Sequence, residues 1–200
     1  MDRAKIEKGL RHPFMAYNSI KSIARGQYYK LKYKVLNKNV FIGKNFRVNS
    51  RLSIRGPGKV VIGDNVVVGA SSQAVTPCTY HKNAQIIIGN NVFLNGTRFG
   101  CKRSIEIGDD CILADCRILD TDFHSINPEK RNDAGYIESA PVKIGNNVWI
   151  SLGCLVLRGV TIGDNSTISA QSVVCNDVEK SSLYAGNPAV FIKKVYGEDK

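Results

Sequence analysis

The sequence predicts an all-β protein, a parallel β-helix with a short helical segment at its N-terminus. The main observation is a repeat in which Ile-Gly is followed by two residues drawn from Asn, Asp and Lys. A repeat with a fixed period decides the architecture before local propensities do. The repeat occurs six times, beginning at Ile42, Ile62, Ile88, Ile107, Ile144 and Ile162.

The clearest part of the repeat has a six-residue period of aliphatic residues. These residues are Ile144, Ile150, Val156, Ile162, Ile168 and Val174. Alternation within each hexad is typical of a short strand in which residues i and i−2 face the same side. The Gly and the Asn or Asp after the aliphatic residue tolerate the backbone angles of a tight corner. An interval of six would rotate an α-helix by roughly 240°, which scatters the aliphatic residues and argues against a helix.

Two loops are predicted to project from the β-helix. Three hexads form one coil of eighteen residues, whereas successive Ile-Gly pairs lie 20, 26, 19, 37 and 18 residues apart. The residues in excess of eighteen between successive pairs predict one loop at about residues 70–84 and a larger one at about residues 120–141. Loops on a rigid scaffold often carry binding and catalytic residues.

The chain is predicted to divide into a basic arm (residues 1–38), the β-helix (39–182) and a C-terminal tail (183–200). The arm has a formal charge of +8, against +3 for the rest of the chain. Apolar residues at three- and four-residue steps predict helical structure across residues 1–37, with Pro13 as a break. Two roles fit the arm: a cap over the open end of the β-helix, or peripheral contact with an anionic membrane. No motif supports nucleic-acid binding.

The composition and sequence patterns indicate the expected cellular location of the protein. No stretch approaches the roughly 20 apolar residues of a membrane span, and the N-terminus lacks the pattern of a secretion signal. We therefore expect a cytoplasmic protein whose six cysteines are free thiols. No Cys-x-x-Cys pair or other cluster of metal ligands occurs, so no metal is expected.

These motifs resemble the hexapeptide-repeat acyltransferases, which fold as a left-handed β-helix. The resemblance covers about residues 40–195 and is closest to sugar and polysaccharide O-acetyltransferases of the maltose and galactoside type. It is carried by the repeat and by three further segments: Asp120–His124 (Asp-Thr-Asp-Phe-His), Val142–Ile150 and Ala185–Ala189 (Ala-Gly-Asn-Pro-Ala). It implies a homotrimer that binds acetyl-CoA between neighbouring subunits and a saccharide acceptor.

The resemblance also implies roles for individual residues. His124 would be the general base, because a sugar hydroxyl is a poor nucleophile until its proton is removed, and Asp120 or Asp122 would orient it. Asn95 falls near the family's acceptor-binding asparagine. The residues implied for cofactor binding are Trp149, Ser151, Ala170, Lys193 and Lys194.

The function expected from the sequence is direct transfer of an acetyl group from acetyl-CoA to a saccharide hydroxyl. Two alternatives stay open. One is N-acetylation of an amino sugar or its nucleotide, and the other is a β-helix that serves only as a binding module. An acetyl-cysteine intermediate is disfavoured, since no cysteine lies beside His124 in the sequence.

Overall fold

The computed structural model describes residues 13–36 and 39–196. Within these residues, the helix α1 (Pro13–Leu36) precedes the strands. The first sheet holds β1 (Val40–Ile42), β3 (Lys59–Ile62), β6 (Gln85–Ile88), β9 (Ser104–Ile107), β12 (Val142–Ile144) and β15 (Thr161–Ile162). The second holds β2 (Arg47–Val48), β4 (Val67–Val68), β7 (Phe93–Asn95), β10 (Ile112–Ala114), β13 (Trp149–Ile150), β16 (Thr167–Ile168), β18 (Ser182–Gly186) and β19 (Ala189–Lys194). The third holds β5 (Thr76–Thr79), β8 (Arg98–Cys101), β11 (Arg117–Leu119), β14 (Leu155–Val156) and β17 (Val173–Val174).

From β3 to β17 the chain visits sheets one, two and three in turn, so each of these coils adds one strand to each sheet. The first coil adds β1 and β2 and meets sheet three only through isolated bridges at Leu52 and Arg55. All strand pairs are parallel except the hairpin of β18 and β19. The register confirms the repeat, because the isoleucines of the six Ile-Gly pairs form one continuous column in sheet one. Their inward-facing neighbours form one buried core along the whole β-helix.

The corners after sheet one are held by polar side chains as well as by glycine. The third residue after each repeated isoleucine has a positive φ, for example 59° at Asn65 and 57° at Asn91. These side chains bond to one another from coil to coil, as Asn65 Nδ2 does to Asn91 Oδ1 at 2.9 Å. The glycine serves a different purpose: a Cβ on Gly63 would lie 2.5 Å from the carbonyl oxygen of Gly89 in the next coil. Glycine is therefore required for coil stacking, and Asn or Asp makes the turn.

The predicted loop at 70–84 is not one projecting loop. Its middle forms β5, which pairs with β8 in sheet three. Val75, Pro77 and Thr79 are buried at alternate positions, so the surplus residues are divided between a bulge before β5 and a turn after it. The predicted tail is also partly ordered, because β18 and β19 extend sheet two. Residues 120–141, in contrast, contain only two short 3-10 helices, Pro128–Lys130 and Ala134–Tyr136.

Helix α1 begins at Pro13 and covers part of the first coil. Proline in the first turn of a helix loses no hydrogen bond, which suits Pro13 as the first residue of the described helix. The predicted break at Pro13 concerns its junction with residues that the structure does not describe. The predicted helical residues 1–12 lie outside the described part of the chain. Tyr33 is buried, and its hydroxyl oxygen accepts a hydrogen bond from the Ile54 N–H at 2.9 Å. Lys30 Nζ donates to the Gly43 carbonyl at 2.9 Å. Along residues 13–36 and 39–196, no helix has the length and hydropathy of a membrane span.

Candidate active site

The long loop leaves and re-enters the β-helix through a narrow antiparallel stem. The Ala140 N–H donates to the Asp120 carbonyl at 2.9 Å, and the Asp122 N–H donates to the Glu138 carbonyl at 3.1 Å. At the tip, Asn127 caps the first 3-10 helix and Asp133 caps the second through side-chain oxygens. The loop is therefore an ordered projection at the corner between sheets three and one.

His124 lies just beyond this stem and is exposed. Its Nδ1 is 3.1 Å from Asn132 Oδ1. The contact fits the tautomer in which Nδ1–H donates to the amide oxygen of Asn132 and Nε2 keeps a lone pair. That tautomer is the one that a general base needs.

The residue before His124 has a strained backbone. Phe123 has a φ of 62°, which is a rare value for a bulky residue. Its ring lies edge-on to Tyr80, with ring centroids 5.0 Å apart. A Cβ on Gly100 would lie 2.9 Å from Phe123 Cζ, so glycine at position 100 makes room for this ring. Strain of this kind concentrates at functional sites, and here it sets the direction in which His124 leaves the stem.

The two predicted orienting carboxylates have other partners. Asp120 is fully buried, and its oxygens accept hydrogen bonds from the backbone N–H groups of Lys102 at 2.6 Å and Arg103 at 2.7 Å. Asp122 accepts from Arg158 Nε at 2.7 Å, and the same guanidinium pairs with Glu138. Both carboxylates therefore anchor the loop, and the residue that contacts the His124 ring is Asn132. No sequence pattern singled out Asn132.

The predicted cofactor and acceptor residues lie on sheet two. Trp149 begins β13 and is 51% exposed, and half-buried Ser151 follows that strand. Exposed Ala170 lies one coil further on, and Asn95 ends β7 at the same corner between sheets two and three. Within residues 13–36 and 39–196, the Asn95 amide makes no hydrogen bond. The outer face of sheet two therefore carries Trp149, and polar and small residues lie at its corner with sheet three.

The two lysines of β19 differ in their surroundings. Lys194 Nζ is 2.7 Å from Glu179 Oε2 and 3.1 Å from Ser182 Oγ. Lys193 has no ion-pair partner in the described part of the chain. Of the predicted pair, Lys193 is the more available cation for an anionic ligand.

One copy of the chain does not bring all these residues together. His124 projects from the corner between sheets three and one, whereas Asn95 and Ser151 lie at the corner between sheets two and three. A groove of about 800 Å³ lies elsewhere, between α1 and the first coils of sheet one.

Four cysteines are buried in the β-helix. Burial raises the pKa of the thiol to about 11 at Cys111 and about 12 at Cys116. Burial also raises the pKa of Cys101, with a further contribution from the charge of Asp120, and that of Cys154. These thiols stay protonated at neutral pH and are poor nucleophiles. In the described residues, no three His, Cys, Asp or Glu side chains gather as a metal site.

Comparisons with known proteins agree with the repeat. Residues 141–176 match the family described as bacterial transferase hexapeptide (six repeats). Residues 59–75 and 85–114 match the hexapeptide repeat of succinyl-transferase. A galactoside O-acetyltransferase from Escherichia coli is 34% identical over 134 residues, which are 66% of this chain and 66% of that protein. The match therefore leaves about a third of each protein outside it.

Two solved structures show the same fold over most of the chain. The polysialic acid O-acetyltransferase OatWY superposes with a TM-score of 0.64 at 25% identity, covering 80% of this chain and 77% of that one. A mutant of AntD, an N-acyltransferase from Bacillus cereus in complex with dTDP and coenzyme A, superposes with a TM-score of 0.63. Its identity is 22%, over 82% of this chain and 87% of that one. By its repeat, its three parallel sheets and these relatives, the chain belongs to the hexapeptide-repeat transferase family.

Proposed function

We propose that the protein is an O-acetyltransferase that moves an acetyl group from acetyl-CoA to a saccharide hydroxyl. The observation that carries this proposal is the His124 ring, which is exposed and hydrogen-bonded through Nδ1 so that Nε2 can accept a proton. The acetyltransferase relatives support the reaction class, and the galactoside and polysialic acid enzymes support a saccharide acceptor. The family resemblance further implies that the coils wind in the left-handed sense.

In the proposed mechanism, His124 Nε2 takes the proton from the acceptor hydroxyl as its oxygen attacks the thioester carbonyl carbon. The new C–O bond replaces the C–S bond, and the imidazolium returns its proton to the departing sulfur, which leaves as the CoA thiol. His124 ends the cycle neutral. The raised pKa values of the buried cysteine thiols support direct transfer without an acetyl-cysteine.

The active unit is proposed to be a homotrimer with its sites between subunits. The separation of His124 from the face of sheet two supports this, since neither surface alone encloses a substrate. In this arrangement, the loop of one subunit faces Trp149 and Ser151 of its neighbour. Ala170, Lys193 and Lys194 would lie along the cofactor, and Asn95 would contact the acceptor.

The direct test of the reaction class is an acetyl-transfer assay with acetyl-CoA and a panel of saccharides. We expect release of free CoA thiol that depends on a hydroxyl acceptor, and an acetylated product that mild alkali cleaves. A product that resists mild alkali would be an amide, which would favour N-acetylation of an amino sugar, as in the AntD neighbour's named class. Binding of a saccharide without any thiol release would favour the binding-module alternative.

The protein is also proposed to contact an anionic membrane through α1, as a peripheral cytoplasmic enzyme. The helix contains five Lys and Arg residues and no Asp or Glu. Its outward side carries large apolar residues in two groups at three- and four-residue steps, Tyr17 (59% exposed) and Ile20 (68%), then Tyr28 (60%), Leu31 (65%) and Val35 (70%). Exposed Ala24 lies between the two groups at the same spacing. Lysines beside an apolar stripe fit a negatively charged lipid surface. A second copy of α1 fits less well, because it would repeat the positive charge.

Replacing Ile20 and Val35 together by Ser should weaken binding to anionic vesicles by at least about tenfold, because two apolar side chains no longer enter the bilayer interface. Cosedimentation with phosphatidylserine-containing vesicles measures this. The matched control is Ile126→Ser, which removes an apolar side chain that is 84% exposed on the long loop. Equal binding by wild type to neutral and anionic vesicles would contradict the proposal.

A further inference from the structure

Four successive turns stack along the corner between sheets three and one. They are residues 55–58, 80–84 and 102–103 and the long loop, and we call them the corner column. Backbone hydrogen bonds tie them together: Thr79 N–H to the Arg55 carbonyl at 2.9 Å and Tyr80 N–H to the Cys101 carbonyl at 2.7 Å. Adjacent strands lie about 4.8 Å apart, so the column spans roughly 14 Å.

The corner column is positively charged and faces solvent. Arg55, Lys82 and Arg103 are exposed, and Lys102 is half-buried. No Asp or Glu occurs in residues 65–105. No ion pair formed by the described residues involves any of these four cations. Their charges are therefore not neutralised by the protein.

The carboxylates nearest the column are already hydrogen-bonded or ion-paired with other groups. Asp120 is buried, and both of its oxygens accept backbone N–H groups of the column itself. Asp122 and Glu138 share Arg158 at the loop stem. At the loop tip, Glu129 and Asp133 are balanced in number by Lys130 and Arg131. Counted formally, Asp120 and the group of Asp122, Glu138 and Arg158 carry −2 against +4 for the four cations of the column, so a net positive charge remains.

The corner column leads to His124. Arg103 Nη1 donates to the Ser139 carbonyl in the loop stem at 3.1 Å. The Tyr80 ring lies against Phe123, the residue that precedes His124. His81, in the same turn as Lys82, accepts the Asn83 N–H through Nδ1 at 3.2 Å, so its Nε2–H points away as a further donor. Unpaired cations and donors thus run from the first coil to the candidate base.

We infer that the corner column binds an anionic saccharide chain and presents one of its hydroxyls to His124. This inference rests on the proposed O-acetyltransferase function and narrows its acceptor to a saccharide that carries carboxylate or phosphate groups. Lys and Arg pair with such groups through charge-assisted hydrogen bonds, and a field of one sign raises the rate of encounter with a polyanion. The phosphates of CoA have the same chemistry and are the competing ligand.

The test compares a carboxylated oligosaccharide with a neutral one of equal length. In the double variant Lys82→Gln/Lys102→Gln, the ratio of kcat/KM for the acidic acceptor to that for the neutral acceptor should fall at least tenfold. The matched control is Lys44→Gln/Lys180→Gln, which removes two exposed lysines at the corner between sheets one and two and should leave the ratio within twofold of wild type. An unchanged ratio in the first variant overturns the inference. A rise in KM for acetyl-CoA with no change in the ratio would instead assign the column to CoA.

A binding measurement separates failure of this inference from failure of the proposed reaction. Isothermal titration calorimetry with the acidic oligosaccharide alone needs no catalysis. We expect binding that weakens as NaCl rises and that the Lys82→Gln/Lys102→Gln variant loses. Salt-dependent binding without acetyl transfer would support the corner column as the binding site and contradict the proposed reaction. Transfer to neutral acceptors with no binding of the acidic oligosaccharide would contradict the role of the column and support the proposed reaction.

Discussion

Replacing His124 by Ala should lower the rate of acetyl transfer by about 100-fold or more, because a positioned general base contributes that much to proton transfer from a hydroxyl. The loss should appear mainly in kcat, since the imidazole acts on the proton in the transition state and adds little to ground-state binding. Steady-state kinetics with a fixed saccharide acceptor and varied acetyl-CoA measures it. The melting temperature should change little, because the His124 side chain is exposed and, within residues 13–36 and 39–196, hydrogen-bonds only to Asn132.

Asn132→Ala is a second variant of the same contact, with a smaller expected effect. Without the Asn132 oxygen, the His124 ring is free to rotate and to adopt the other tautomer, so we expect a smaller loss of kcat than in His124→Ala. A full wild-type rate in His124→Ala would exclude the mechanism. A wild-type rate in Asn132→Ala alone would exclude only the orienting contact.

A mixing experiment tests whether two subunits share one site. His124→Ala and Asn95→Ala each remove a residue from a different corner of the β-helix. We expect Asn95→Ala to lower activity by weakening acceptor binding. If His124 of one subunit works with Asn95 of another, mixed oligomers formed by refolding the two impaired variants together will contain some intact sites and regain activity. Activity in the mixture no higher than the sum of the separate variants would mean that both residues act within one copy.

The sequence predicted the repeating part of the fold because the repeat is a local property. The isoleucine of each Ile-Gly pair faces the core in every coil, and a period of six fixes that position without any long-range information. The failure at residues 70–84 has a definite cause. Spacing between repeats shows how many residues are surplus but not where the strand lies among them, and β5 lies in the middle.

The loop was harder to predict, since its contacts join residues that no period relates. Asp122 meets Arg158, 36 residues further along the chain, only because the next coil stacks beneath the stem. Asn132 reaches His124 across the loop tip through two short 3-10 helices. The sequence did, however, contain one indication that Asp120 is buried. It follows the inward-facing Ile118 by two positions, so strand alternation already indicated that its carboxylate points inward.

This inward position leads to the second large expected effect, which concerns stability. Replacing Asp120 by Ala should lower the free energy of unfolding by about 3 kcal/mol, because hydrogen bonds from two backbone N–H groups to a charged acceptor are lost. The carboxylate is fully buried, and the methyl group of Ala offers no other acceptor to Lys102 N or Arg103 N. For a chain of this size, the melting temperature should fall by roughly 6–12 °C. Differential scanning calorimetry measures both quantities.

Asp122→Ala is the matched control, two residues away. Its ion pair with Arg158 is partly exposed, with side chains 32% and 33% accessible. Such pairs contribute about 0–1 kcal/mol, so its melting temperature should fall by no more than about 4 °C. The comparison also decides between the two roles considered for Asp120. If Asp120→Ala kept the melting temperature of wild type and lost kcat like His124→Ala, then Asp120 would act on the imidazole. A large loss of stability, with a kcat above that of His124→Ala in the fraction that stays folded, would make it the anchor of the turn on which the corner column and the loop both depend.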